Sequence, residues 1–363
     1  MGRQVGRTPG PGIDAGRLAA AEIAARMGDP GAALELEALL VQATTRGDAR
    51  SRSRILEALG LIELGHRRDS RAAALLQAAV DLDVPAGPRA RPALHRALGR
   101  AYAGMGELTR SIAVLSAAFD DAAADPADPA LMTLFGTFLA NAYTDAGLFG
   151  EAEATLARVV RHRPDLAPGN VVRLEWAIAR TYVEQGCLGI AETYVRRVLA
   201  RVDVAEYGEL PGQARLLLAR VLADQGRLDE AARDLDDAER LLASAPDVEL
   251  AALSLDRARV ALARGGLDEA DRHLRRALDR TGSTEPGQAG VAYGLLAEVE
   301  LGRGNLEEAR FLCRRALELL DGTATPLYAD RVWEALADVE ERAGNLAAAL
   351  AALRSRSGSR RGS

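Results

Sequence analysis

The 363-residue sequence predicts an all-α superhelical solenoid, an array of about nine helix–turn–helix repeats. Three observations carry that prediction. A glycine turn between two helical patterns is written as ADQGRLDEAARDL from Ala223, LARGGLDEADRHL from Leu262 and LGRGNLEEARFL from Leu301. Aligned turn glycines fall at Gly106, Gly147, Gly186, Gly226, Gly265, Gly304 and Gly344, spaced 39 to 41 residues apart, and so steady a period belongs to a repeat architecture. The chain is 48% hydrophobic but only 4% aromatic, which suits helices packed closely through Ala, Leu and Val better than a β-sandwich.

The array is expected over residues 18–353, with its best-defined repeats over 92–353. Residues 1–17, rich in Gly and Pro, read as a disordered N-terminal tail, and residues 354–363, RSRSGSRRGS, as a basic disordered C-terminal tail. Gly28 and Gly65 extend the glycine series upstream with looser spacing. In the second repeat the run GHRRDSRAAALL places Ala72 late after Gly65, which predicts a longer or distorted turn there.

From the third repeat onward the register is fixed by side-chain size. Seven residues before each turn glycine stands a small residue: Gly99, Ala140, Ala179, Ala219, Ala258, Ala297 or Ala337. Five after it stands Ser111, Ala152, Ala191, Ala231, Ala270, Ala309 or Ala349, and nine after it Leu115, Leu156, Val195, Leu235, Leu274, Cys313 or Leu353. Small residues let the two helices of a repeat approach, and the larger side chains fill the space between. The glycine supplies the left-handed conformation that ends the first helix. Eleven prolines, from Pro85 to Pro326, fall between the second helix of one repeat and the first helix of the next, where the missing N–H costs nothing.

These residues resemble the tetratricopeptide repeat: a small residue, x-x-Tyr, then Gly, then Ala-x-x-x-Leu. The copies nearest the pattern are LGRAYAGMGELTRSIAVL, LANAYTDAGLFGEAEATL with Pro164 at the closing place, and IARTYVEQGCLGIAETYV. The spacing near 40 exceeds the usual repeat of about 34 residues. The Ala- and Arg-rich, long-period units look most like the sensor regions of bacterial transcription regulators. The resemblance implies a right-handed superhelix whose first helices line a concave groove, with the position after the small residue facing it. Here that position reads Arg100, Asn141, Arg180, Arg220, Arg259, Glu298 and Asp338. Arginine forks suit carboxylates, and an Asn can bond both the C=O and the N–H of an extended peptide. The ladder is therefore expected to hold a protein or peptide segment, acidic or carboxylate-terminated, with Trp176 as an aromatic anchor one turn before Arg180. The competing reading is that Arg180 pairs with Glu184 and Arg220 with Asp224 along their own helices, and that Trp176 packs between repeats. Tyr102, Tyr143 and Tyr182 occupy the packing position of the repeat and are expected in the core.

The other expectations are exclusions. No G-x-S-x-G, H-E-x-x-H or phosphate-loop motif occurs, and His66, His95, His162 and His273 share no spacing suited to a metal. No enzyme activity, cofactor or metal is expected. The acids of LDEA and LEEA begin second helices, where they complement the helix dipole. All 46 basic residues are Arg, against 52 acidic ones, and the net charge of −6 argues against direct nucleic-acid binding by the whole surface. Cys187 and Cys313 have no CxxC partner, which points to a reducing compartment. With no long apolar run and no signal-peptide core, a cytoplasmic protein without membrane contact is expected. The functional expectation is a non-catalytic binding scaffold or regulator. The alternative is the sensor part of a transcription regulator that reaches DNA through a separate or missing helix-turn-helix domain.

Overall fold

The computed structural model describes residues 14–82, 88, 91–124, 128–161, 166–281, 285–321 and 326–359. Of the expected tails, residues 1–13 and 360–363 lie outside these residues, as do Pro85, Pro126, Pro164 and His162, whereas residues 354–359, expected to be disordered, continue the last helix. Among the described residues every regular element is helical. The helices form nine successive pairs: α1 (Ala15–Arg26) with α2 (Ala32–Arg46), α3 (Ala49–Gly65) with α4 (Asp69–Leu82), and α5 (Pro92–Gly104) with α6 (Leu108–Ala123). Next come α7 (Pro129–Asp145) with α8 (Phe149–Val160), α9 (Pro168–Glu184) with α10 (Leu188–Leu199), and α11 (Leu210–Asp224) with α12 (Leu228–Leu241). The last pairs are α13 (Asp247–Ala263) with α14 (Leu267–Thr281), α15 (Pro286–Arg303) with α16 (Leu306–Leu320), and α17 (Pro326–Arg342) with α18 (Leu346–Ser359). A single helical turn, Val204–Tyr207, precedes α11. Helix α1 starts three residues ahead of the expected array, and α18 runs six residues past its expected end.

Each pair is joined by the same backbone device. A residue at positive φ follows the first helix, and the next N–H bonds back five residues, as Glu107 to the Tyr102 carbonyl at 2.9 Å and Cys187 to the Tyr182 carbonyl at 2.9 Å. This closes carbonyls that the helix end would otherwise leave open. The second repeat corrects the sequence expectation. Gly65 is the last residue of α3, and the left-handed position is taken by Arg67, at φ 58°. The turn is neither long nor distorted; the alignment on Gly65 was two residues early. With Arg67 in place the left-handed positions run 28, 67, 106, 147, 186, 226, 265, 304 and 344. The upstream spacing then becomes as regular as the rest, Gly60 takes the small position, and Ala72 and Leu76 fall in register. A non-glycine side chain costs about 1 kcal/mol in this conformation. Arg67→Gly is expected to stabilise the fold by about that amount, read as a raised urea midpoint.

The size register translates directly into packing. Ala140, Ala179, Ala219, Ala258 and Ala297 are buried, as are Ala152, Ala191, Ala231, Ala270 and Ala309. A Cβ on Gly60 would stand 2.6 Å from the Leu76 Cγ, and one on Gly99 2.6 Å from the Leu115 Cγ. These are the very positions the register pairs across a repeat. A second tier repeats the device deeper in the pair, Gly212 against Leu242 and Gly290 against Leu320. Leu353, at the corresponding place in the last repeat, is 40% exposed, whereas Leu235 and Leu274 are buried. Prolines open α5, α7, α9, α15 and α17 at their first positions, where the ring is pre-set for a helix.

The chain divides into two compact units, Met1–Phe138 and Leu139–Ser363, the division falling within α7. The first centres on Leu36, Leu39, Ile55, Leu76 and Leu94. In the second, one cluster gathers around Val195, Leu218 and Leu235 and another around Leu274, Leu296 and Cys313.

Candidate functional site

The candidate site lies in the second unit, where the first helices of successive repeats converge. A cavity of about 340 Å³ is walled by Glu184 of α9, Arg220 and Asp224 of α11, Arg259 of α13, and Tyr328 and Arg331 of α17. A neighbouring cavity of about 460 Å³ shares Asp224, Arg259, Tyr328 and Arg331 and adds apolar walls from Leu262, Val291 and Val332. Helices separated by more than a hundred residues in sequence thus enclose one polar space.

The arginines of the ladder differ in what they already hold. Arg180 donates from Nη2 to Asp145 Oδ1 at 3.0 Å. Arg220 donates from Nε and Nη2 to the two carboxylate oxygens of Asp256, each at 3.3 Å. Both pairs join first helices of adjacent repeats; neither arginine takes the i,i+4 acid on its own helix as its hydrogen-bond partner. Burial pushes the Asp145 carboxyl above its usual range, and the Arg180 guanidinium only partly offsets this. Arg259 is different. Its nearest carboxylate, Asp256, stands 3.9 Å from Nε, and the buried Nε has no hydrogen-bond acceptor. Asn141 likewise carries a buried Oδ1 that accepts no hydrogen bond.

Of the residues expected on the ladder, Arg220 and Arg259 therefore meet at one cavity. Asn141, Trp176 and Arg180 belong to the same unit but do not wall that cavity, and Trp176 packs half-buried against the core around Val195 and Leu218. Arg100 belongs to the first unit, where it is exposed on α5. Glu298 and Asp338 are exposed on α15 and α17. Tyr102 is buried as expected, its hydroxyl donating to Gln77 Oε1 at 2.9 Å, and Tyr143 and Tyr182 are half-buried.

Two contributors escaped the sequence reading. Asp256 is buried at 3% exposure in a register position, nine before the turn glycine, that is apolar in the neighbouring repeats as Ala177, Leu217, Leu295 and Ala335. A charge in an apolar register was the available signal. Tyr328 is the aromatic member of a position otherwise held by Leu210, Glu249 and Gln288. Its ring centroid lies 5.1 Å from the Arg259 guanidinium carbon and 5.9 Å from that of Arg331, both within reach of a cation–π contact. Burial pushes the Tyr328 phenol up, but Arg220 and Arg259 outweigh it, against Glu184 and Asp256, and leave it below its usual value.

Beside this space, repeats are clamped by a carboxylate hub. Glu192 of α10 accepts from Arg196 at 2.8 Å, from Arg227 at 2.8 Å and from Gln225 at 3.2 Å. Burial pushes its carboxyl up, but the hydrogen bonds from Arg196, Arg227 and Gln225 prevail and hold it at about 2, against an ordinary 4.5. A carboxyl lowered in the folded state stabilises fully above its unfolded value and loses that contribution as pH falls toward 2. Glu192→Gln is expected to cost about 1–2 kcal/mol at pH 7 and about a quarter of that at pH 2.5. Urea midpoints at the two pH values check this.

The first-turn acids behave as helix-dipole partners with a second task. Asp229 of α12 accepts from Arg264 at 2.7 Å, and Asp268 of α14 from Arg303 at 2.6 Å, each tying one repeat to the next. Cys313 is buried and its thiol is pushed up to about 12 by that burial, while Cys187 is exposed; both are free thiols. Among the described residues no group of His, Cys, Asp and Glu is placed to hold a metal, and no helix is long and apolar enough to cross a membrane.

Residues 177–248 and 255–326 match the tetratricopeptide repeat family. No curated protein matches the chain by sequence. Solved structures do match by fold. A Rap protein complexed with competence and sporulation factor aligns with a TM-score of 0.62 at 16% identity, covering 81% of each chain. The Rap conjugation gene regulator of the plasmid pLS20, in complex with the Phr* peptide, aligns with a TM-score of 0.59 at 14% identity, covering 77% of this chain and 78% of that one. A signal transduction ATPase with a tetratricopeptide repeat sensor from Pyrococcus horikoshii aligns at 0.54 and 15% identity, covering 89% of this chain and 52% of that one. At these identities the likeness is one of fold.

Proposed function

We propose that this chain, a tetratricopeptide repeat protein, binds a protein or peptide segment on the inner face of its second unit and acts as a non-catalytic cytoplasmic scaffold or regulator. The observation that carries the reading is Arg259: a guanidinium on the wall of a cavity, with a buried Nε that has no hydrogen-bond acceptor. A buried donor without a partner costs about 1–3 kcal/mol, which a carboxylate entering the cavity would recover. The segment is accordingly acidic or carboxylate-terminated. Two of the structures similar in fold are complexes, one with competence and sporulation factor and one with the Phr* peptide, which supports a peptide over a small metabolite. Arg220, already engaged by Asp256, serves to shape the cavity, whereas Arg180 and Asn141, which do not wall it, would meet the segment only where it extends past the cavity.

The test is binding of the full chain to two sets of short random peptides, one carrying a free carboxylate on Asp, Glu or the C-terminus, the other amidated and without Asp or Glu. Free-carboxylate peptides are expected to bind better, and Arg259→Gln to lose about tenfold of their affinity while leaving amidated ones unchanged. Equal binding of both sets would sink the carboxylate assignment. The second reading, a sensor module that acts on DNA through a separate domain or chain, rests on the resemblance of the long-period repeats to regulator sensor regions; the Pyrococcus horikoshii ATPase of similar fold carries a sensor built of such repeats. It uses the same ligand site, and specific DNA retention by the full chain would favour it.

A further inference from the structure

Tyr328 belongs to the first turn of α17, yet it reaches past α15 to the arginines of α13 and α11. One feature permits this. Helix α15 presents Gly294 to α17, and a Cβ there would lie 2.8 Å from the Val332 Cγ2, so α17 sits too close to α15 for any larger residue. The ring then meets the Arg259 guanidinium at 5.1 Å, with Arg331 at 5.9 Å. It thus stands against the Arg259 cation on a wall common to both cavities.

We propose that Tyr328 is the specificity-determining gate of the inner-face site: a ligand carried by the chain itself, which holds Arg259 until a peptide carboxylate displaces it. The proposal rests on the reading of that face as a peptide site. A cation–π contact binds a guanidinium less strongly than a bidentate carboxylate. A carboxylate therefore wins the exchange, whereas a neutral amide or an apolar side chain does not. Because Tyr328 is on α17, its release also frees the first turn of α17 from α13, and ligand binding is coupled to the position of the last repeat.

The experiment compares the full chain with Tyr328→Ala and Tyr328→Phe on the same free-carboxylate and amidated peptides. Hydrogen exchange of residues 326–342 is recorded in parallel. With a gate that is mostly closed, removing it is expected to tighten free-carboxylate binding about fivefold, in proportion to the closed population. Amidated peptides should change little, and exchange in the first turns of α17 should accelerate. Tyr328→Phe keeps the ring over Arg259 and is expected to fall between the other two chains; it also carries the test if the alanine variant fails to fold. Unchanged or weaker carboxylate binding in both variants, or unaltered exchange in α17, would overturn the gate while leaving the peptide site intact. If no chain distinguishes free from amidated peptides, the carboxylate site itself is wrong and the gate falls with it.

Discussion

Asp256→Ala is expected to destabilise the second unit by about 3 kcal/mol, the low end for breaking a buried ion pair from one side. The carboxylate is 3% exposed and holds Arg220 through two hydrogen bonds, with Arg259 3.9 Å away. Without it, two guanidinium groups of like charge share the cavity wall, and the Tyr328 ring is left as the contact with Arg259 that remains. Removing both charges is a different matter, since a well-packed apolar pair in place of a buried ion pair is often neutral or better. The register supplies the residue, because Leu217 and Leu295 occupy the position of Asp256 in the flanking repeats. The double variant Asp256→Leu with Arg220→Leu is therefore expected to regain most of the loss. Urea denaturation of the three chains decides it. A single variant as stable as the parent would mean that Arg220 finds water or another acceptor, and that the pair organises nothing.

Gly99→Val is expected to cost about 3 kcal/mol in the first unit, at the upper end for overpacking. A Cβ at residue 99 stands 2.6 Å from the Leu115 Cγ and 2.7 Å from its Cδ2, and Leu115 is 2% exposed. The Leu115 side chain has no free space to turn into, and a β-branched residue cannot turn away within a helix. The compensated variant Gly99→Ala with Leu115→Val reproduces the pair Ala179 and Val195 of the fifth repeat, which is fully buried there. It is expected to lie within about 1 kcal/mol of the parent. If both variants unfold alike, the contact across the repeat is not what sets the helix separation.

Both predictions draw on the same property of a repeat array, in which each register position is tested several times within one chain. That redundancy explains how much could be read in advance. The small residues and their apolar partners were assigned by position, and they meet as expected in space. Where a single copy departed from the pattern, the reading failed. The second turn was anchored on Gly65 because glycine is the usual left-handed residue, and Arg67, which has no such signature, took the position.

The candidate site shows where sequence stops. Periodicity placed Arg220 and Arg259 at equivalent positions of adjacent helices, since a helix period and a repeat period together fix which side chains share a face. It could not place Tyr328 beside them, because that contact depends on how far the first helices curl around one another over several repeats. Nor could it tell which arginine was already neutralised: Asp145 and Asp256 reach across to the neighbouring helix, while the acids four residues along, Glu184 and Asp224, are the ones a linear reading offers. The sequence by itself determined the helices, their pairing and the repeat, all consequences of local side-chain size and of backbone conformation at the turns. The tertiary structure alone decided the site, because cavities and charge neutralisation arise from distances between residues that no local rule relates.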